Sequence, residues 1–263
     1  MCARVKEERV QPPDAPSAAP SGARCKTGIE LLDRALGGGI PRGSSVLLSG
    51  ACGTGKTTLG MEFLARGASA GEIGLYIAVT EPSKRVRDNM SAFEFFDPKL
   101  VEEGKLRLLD AQDMLERLGV DRVEYTQEDA AAILKAILDS VRESGAARLV
   151  VDSITGICIH LKTRERVRDF VLKLARGLSA AGCTSLLVSE TTPSEGHHSP
   201  FGVEEAVADG VIALGNADQR GHLLRTLHIV KMRGTHHSRA RYALDLTPFG
   251  IILAPLLRGS LGA

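Results

Sequence analysis

The sequence predicts an α/β fold: a mostly parallel central sheet with helices on both faces and an antiparallel C-terminal extension. Three observations predict it. Between Val46 and Ser189, short apolar runs alternate with amphipathic stretches of helical length, the pattern of consecutive βαβ units. Those runs are apolar almost throughout, as strands covered on both faces are. After Gly210 the helices stop. Gly210–Leu214, Leu223–Met232, Arg241–Leu246 and Ile251–Leu253 follow one another as strand-like runs, which suits antiparallel neighbours at one edge.

In chain order, residues 1–24 are rich in Pro, Ala and Ser without apolar periodicity and read as a disordered leader. Ile29, Leu32 and Leu36 repeat at helical spacing until Gly37–Gly39 stops the helix, and Ile40–Gly43 turns the chain into the strand at Val46–Leu48. Thr57 to about Ser69 predicts the first long helix and Glu72–Val79 a buried strand. Ser83 to about Phe95 predicts a helix capped by Ser83, and Lys105–Leu109 a third strand. Ala130, Ile133, Leu134, Ile137, Leu138 and Val141 share one helical face that leads into the strand Arg148–Asp152. Val167, Phe170, Val171, Leu174, Ala175 and Leu178 do the same before Thr184–Ser189. No internal repeat interrupts the pattern, so 25–257 reads as one domain with a short flexible tail, 258–263.

The totals narrow the function classes. A net charge of +1 gives no sequence-wide push toward nucleic acid or acidic membranes. No apolar run reaches membrane-spanning length, and the N-terminus lacks an apolar signal core. Cys2, Cys25, Cys52, Cys158 and Cys183 lie scattered, as in a chain kept in a reducing cytoplasmic compartment. His197–His198 and His236–His237 have no cysteine or carboxylate at ligand spacing and read as solvated loop residues.

The segment with the most chemical content follows the Val46–Leu48 strand. Gly50-Ala51-Cys52-Gly53-Thr54-Gly55-Lys56-Thr57 fits the phosphate-loop pattern G-x-x-x-x-G-K-[ST] without a mismatch, and Thr58 continues into the helix. Successive backbone N–H groups must turn inward around phosphate oxygens, a path that glycines at 50, 53 and 55 leave open. The following helix turns its positive end toward the same phosphates. Lys56 is placed for the β- and γ-phosphates and Thr57 for Mg²⁺. No Asn-Lys-x-Asp guanine-reading segment occurs, so ATP is the expected nucleotide. Cys52, at a helix N-terminus, is a candidate for oxidation.

Three further candidates end strands, where ligands of parallel sheets collect. Asp152 closes the apolar run Arg148–Val151 and is the expected magnesium partner, although such an Asp also caps turns. Glu81 is placed to orient or deprotonate the attacking water, or is a surface acid before a helix. Ser189 is a candidate γ-phosphate sensor or an ordinary strand-end hydroxyl. Lys231 and Arg233 lie one residue apart on a strand and therefore point to one side.

Together these motifs resemble the RecA-type ATPase superfamily, and most closely the KaiC-like family with its single-domain relatives. The similarity extends over nearly everything after the leader. It includes Thr27–Asp33, the Gly-Gly-Gly-Ile-Pro-Arg-Gly approach to the phosphate loop, Val151–Thr155, Phe201–Glu205 and Lys231-Met232-Arg233-Gly234-Thr235. The resemblance implies a ring, usually a hexamer, with ATP bound between neighbours. It also implies that Lys231 and Arg233 reach across the interface to the next subunit's γ-phosphate, with Thr235 and His237 near the same phosphates. Cations placed beforehand stabilise charge accumulating on a transferred phosphoryl group. Relatives carry two adjacent glutamates where this chain has Thr80-Glu81, so Glu81 alone stands for the catalytic base. Glu205 and Ala206 occupy the positions of the phosphate acceptors in the autophosphorylating half of the clock protein, which favours the ATPase half as the likeness.

The expected activity is Mg²⁺-dependent ATP hydrolysis by a homo-oligomeric ring that regulates an unidentified protein partner. Two alternatives compete with it. One is an ATP-held oligomeric switch without turnover, for which Thr80 marks a lost base. The other is a RecA- or RadA-like DNA-dependent ATPase. Aromatics for base stacking are scarce, and the basic runs Lys84–Arg87 and Arg164–Arg168 fall on predicted helices where solvated faces are the default, so nucleic acid is the less favoured partner.

Overall fold

The computed structural model describes residues 23–191, 197–219 and 221–256. Residues 1–22 of the expected leader and the tail expected at 258–263 lie outside the described residues. A two-stranded ribbon opens the fold, β1 (Arg24–Cys25) pairing with β2 (Ile40–Pro41) around helix α1 (Glu30–Ala35). Arg24, at the expected end of the leader, is therefore part of the domain. Strand β3 (Ser45–Gly50) leads through the glycine-rich loop into α2 (Lys56–Ser69), and β4 (Gly74–Ala78) follows. Next come α3 (Ser83–Met90), α4 (Lys99–Glu102), β5 (Leu106–Asp110), α5 (Ala111–Arg117) and α6 (Gln127–Ser144). Strand β6 (Arg148–Asp152), α7 (Ile154–Cys158), α8 (Arg164–Ala180), β7 (Thr184–Glu190) and α9 (Glu204–Val207) complete the α/β part. The chain ends with β8 (Gly210–Gln219), β9 (His222–Met232), β10 (Arg241–Thr247) and β11 (Gly250–Pro255).

Nine strands form one sheet in the order β11-β10-β9-β8-β3-β7-β6-β4-β5. From β8 to β5 all pairs are parallel; β9, β10 and β11 continue the sheet antiparallel beyond β8. The phosphate-loop strand is thus central, and β3, β4 and β6 are buried along their whole length, as their apolar central residues require. One apolar layer packs α1, α2 and α3 against the first face through Leu32, Leu59, Phe63 and Val86. The other packs α6, α7 and α8 through Ile133, Ile137, Phe170 and Leu174.

Local signals explain where elements start and stop. Thr126 and Asp129 form a reciprocal capping box on α6, and Gly145 ends that helix in the left-handed region at φ 67°. Thr163 caps α8 by accepting from the Arg166 N–H. Two expectations shift. Ser83 lies within α3 and does not cap it: its N–H and hydroxyl both donate to the Asp110 carboxylate at 2.6 Å, so the acid that stabilises this helix start comes from β5. That helix also stops at Met90, because Phe93, Phe95 and Phe96 turn back into the core. Glu72, expected in a strand, sits in the turn after Gly71 (φ 89°) and pairs with Arg42 and Arg148.

Candidate functional site

The glycine-rich loop leaves the carboxyl end of β3 between β7 and β8, where a parallel sheet gathers ligands. Gly53 and Gly55 have φ of 76° and 97°, a region closed to most side chains. Gly50 is restricted differently. A Cβ there would lie 2.7 Å from the Leu214 carbonyl oxygen and 2.9 Å from Thr54 Oγ1. The loop is braced from within, with Thr54 Oγ1 and Lys56 Nζ donating to the Ala51 carbonyl at 2.8 and 2.9 Å. From outside, Arg225 of β9 donates to the Gly53 carbonyl at 3.1 Å.

A cleft of about 350 Å³ opens beside the loop, lined by Cys52, Gly53, Gly55, Lys56, Thr57, Thr58, Thr80, Glu81, Asp152, Glu190 and Leu246. Its size suits a phosphate-bearing ligand. Burial lowers the Lys56 ammonium below the ordinary lysine range, against the pull of Glu190, Asp152 and Cys52, which favour its charge. Thr57 Oγ1 donates to Asp152 Oδ2 at 2.7 Å, bringing a hydroxyl and a carboxylate together at the foot of the cleft. Hard oxygen donors of this kind match what Mg²⁺ takes from phosphate-loop proteins, so the residues present fit that ion. Tyr76, buried on β4, donates to the same carboxylate oxygen at 2.8 Å. Burial, and then the Asp152 charge, push the Tyr76 phenol far up. Glu81 stands at the cleft wall with Arg85 Nε 3.8 Å from its carboxylate.

Most of the residues singled out in the sequence converge here, namely the loop from Gly50 to Thr58 with Glu81 and Asp152. Ser189 lies just behind the cleft wall, buried, with its hydroxyl 3.4 Å from Thr155 Oγ1. The Thr155 hydroxyl also accepts from the Glu190 N–H at 3.1 Å. The Lys231 group lies elsewhere. Met232 pairs with Gly210, which pairs with Val46 at the start of β3, so this segment occupies the sheet end opposite the phosphate loop. The distance from Val46 to Gly50 alone is about 13 Å along the strand.

There, Lys231 Nζ donates to the Glu205 carbonyl at 2.9 Å and Arg233 donates to the Ala206 carbonyl at 3.1 Å, beside Asp209. Burial and then the neighbouring Arg233 charge lower the Lys231 ammonium. Thr235 Oγ1 accepts from Arg24, and His237 Nδ1 lies 3.1 Å from the Ser238 carbonyl. His197 contacts Glu205, and no cluster of three or more metal-binding side chains forms among the described residues.

Sequence reading missed Tyr76, Arg225 and the lining role of Leu246, none of which lies in a motif, and gave Thr155 no role although it closes the Val151–Thr155 segment. Tyr76 offered one signal, a hydroxyl on an otherwise apolar strand, which demands a partner.

Comparison with known proteins identifies the family and the fold. The family described as "ATPase: KaiC" matches residues 25–258. The chain is 38% identical over 235 residues to the UPF0273 protein PF1931 of Pyrococcus furiosus, covering 88% of this chain and 94% of that protein. It is 33% identical over 236 residues to the circadian clock protein KaiC3 of Synechocystis sp., covering 89% of this chain but 46% of that longer one. Among solved structures, the KaiC-like protein PH0186 from Pyrococcus horikoshii OT3 superposes with a TM-score of 0.75 at 33% identity, covering 89% of this chain and 99% of the other.

Proposed function

The chain belongs to the KaiC family of ATPases, and from that premise we propose that it binds ATP with Mg²⁺ in the cleft beside Lys56, hydrolyses it, and does so as a ring. The observation that carries this reading is the Thr57–Asp152 hydrogen bond at the foot of an intact phosphate loop, with Glu81 on the same cleft wall. In this reading the N–H groups of the loop through Thr58, with Lys56, hold the phosphates, and Thr57 and Asp152 hold the ion. The ion, when bound, neutralises charge on the phosphate oxygens. Glu81 orients and deprotonates the attacking water, and Ser189, behind Thr155, reports on the γ-phosphate end.

Lys231 and Arg233 cannot serve their own loop from the opposite end of the sheet. They are tied to carbonyls of the 205–207 segment, away from that loop, and in this reading they are directed at a neighbouring subunit's nucleotide. Thr235 and His237, on the same turn, belong with them. Closure into a ring then makes each site a product of two protomers, and a partner protein is the receiver of the cycle. The DNA-handling alternative has no comparable support, since Arg85 faces Glu81 while Arg164 and Arg166 donate to the carbonyls of Phe201 and Tyr125.

Phosphate release by the purified protein tests the reading. Lys56→Ala should abolish ATP binding, whereas Glu81→Gln should keep binding and slow release by about 100-fold or more. Unchanged turnover in Glu81→Gln removes Glu81 from the mechanism. Tight binding with no turnover in the unmodified protein replaces the hydrolase with a switch.

A further inference from the structure

The Asp152 carboxylate has a second partner that the phosphate-loop motif does not account for. Tyr76 is 1% exposed, and it lies on the face of β4 that packs against α2, among Leu59, Phe63, Val150 and Leu186. A phenyl ring would fill that space equally well. The hydroxyl therefore introduces a polar atom into an apolar layer, where it needs an acceptor. The register supplies one: Tyr76 pairs with Val150 and Ala78 with Asp152 on the neighbouring strand, so the phenol reaches two residues forward to Asp152 Oδ2.

Thr57 donates to the same oxygen from the other side, at 2.7 Å against 2.8 Å for Tyr76. Both donors thus engage Oδ2, and among the described residues Oδ1 carries no hydrogen bond. The two donors differ in one respect. Thr57 belongs to the phosphate loop, whereas Tyr76 is embedded in the core.

We propose that Tyr76 is a positioning residue for the divalent cation: by gripping Oδ2 from within the core, it fixes the rotamer of Asp152 and leaves Oδ1 to serve the ion. The proposal rests on the reading of the cleft as a nucleotide–magnesium site. Partners that orient a metal-ligating carboxylate commonly change metal affinity by about 10- to 100-fold when removed. Tyr76→Phe deletes the hydroxyl and keeps the ring, so the core stays filled.

The experiment is a titration of Mg²⁺ into protein carrying a fluorescent ATP analogue, compared with binding of the same analogue in EDTA, and repeated with Mn²⁺ followed by its electron paramagnetic resonance signal. Tyr76→Phe should bind the analogue in EDTA as the unmodified protein does, but need about 10-fold more Mg²⁺ or Mn²⁺ for half-saturation. A role confined to packing would lower the melting temperature and leave both half-saturation points unchanged. That result, or equal weakening with and without metal, overturns the proposal. Should Tyr76→Phe misfold, Tyr76→Met, which also deletes the hydroxyl but fills the space with a flexible apolar side chain, reads the same contact: it too should need about 10-fold more Mg²⁺ or Mn²⁺, and unchanged half-saturation overturns the proposal. Failure of the unmodified protein to bind the analogue at all would instead sink the nucleotide reading, a result distinct from either.

Discussion

Gly50 and Gly53 occupy the same loop for different physical reasons, and the difference has a measurable consequence. A methyl group at 50 meets the Leu214 carbonyl and Thr54 Oγ1, both fixed by other bonds, whereas one at 53 meets nothing within 4 Å. Gly50→Ala should therefore cost about 1–3 kcal/mol of stability and disturb the loop. Gly53→Ala carries only the backbone cost of a left-handed conformation, about 1–2 kcal/mol at most. Thermal denaturation and binding of an ATP analogue check this: Gly50→Ala should be the worse variant in both, and the reverse order would contradict the account. At this scale the sequence disclosed what a motif names. Lys56, Thr57 and Asp152 could be singled out because a loop motif or a strand end marks their positions, and the fold brings all three to one cleft. Tyr76 and Arg225 were not, because each acts on a residue distant in sequence through a strand register that no local pattern encodes. Thr155 and Glu190 are similar, joined by one hydrogen bond across 35 positions.

Elements behave in the same way. Each long helix and buried strand could be read from periodicity, since burial on a stripe or on both faces leaves a local imprint. Caps supplied from elsewhere could not, and Asp110 at the start of α3 is the example. Glu72 shows how a turn between elements becomes a fastening. Arg42 before β3 and Arg148 at the start of β6 both bind its carboxylate, and Arg148 also donates to the Phe63 carbonyl at 2.7 Å while lying over the Phe63 ring. Burial pushes the Glu72 carboxyl up, but the hydrogen bonds from Arg42 and Arg148 and their charges outweigh it and bring the group below the usual glutamate range. A carboxylate held down in this way contributes its stability in full above the unfolded value of about 4.3 and loses it as pH falls through the folded value. Glu72→Gln should lower the melting temperature at neutral pH, and the gap from the unmodified protein should close on acidification below about pH 4. A gap that stays constant with pH would show that the ionised carboxylate is not what ties these elements together.

The whole molecule places its two chemical groups at opposite ends of one sheet. The parallel strands carry the phosphate loop, Glu81 and Asp152 to their carboxyl ends, while the antiparallel return of β9 delivers Lys231 and Arg233 to the other. The antiparallel extension was visible in the sequence as strands without intervening helices. That it separates these groups follows only from the pairing of β9 with β8. In the proposed reading a second copy supplies the cations that one chain cannot bring to its own loop. Subunit mixing tests this most directly. Lys56→Ala protein keeps the cations but lacks a working loop; Lys231→Ala/Arg233→Ala protein keeps the loop but lacks the cations. Each should be inactive alone in phosphate release, and a mixture of the two should recover activity, because some interfaces then join an intact loop to intact cations. A mixture no more active than its components, under conditions where the two variants co-assemble, would contradict the shared site.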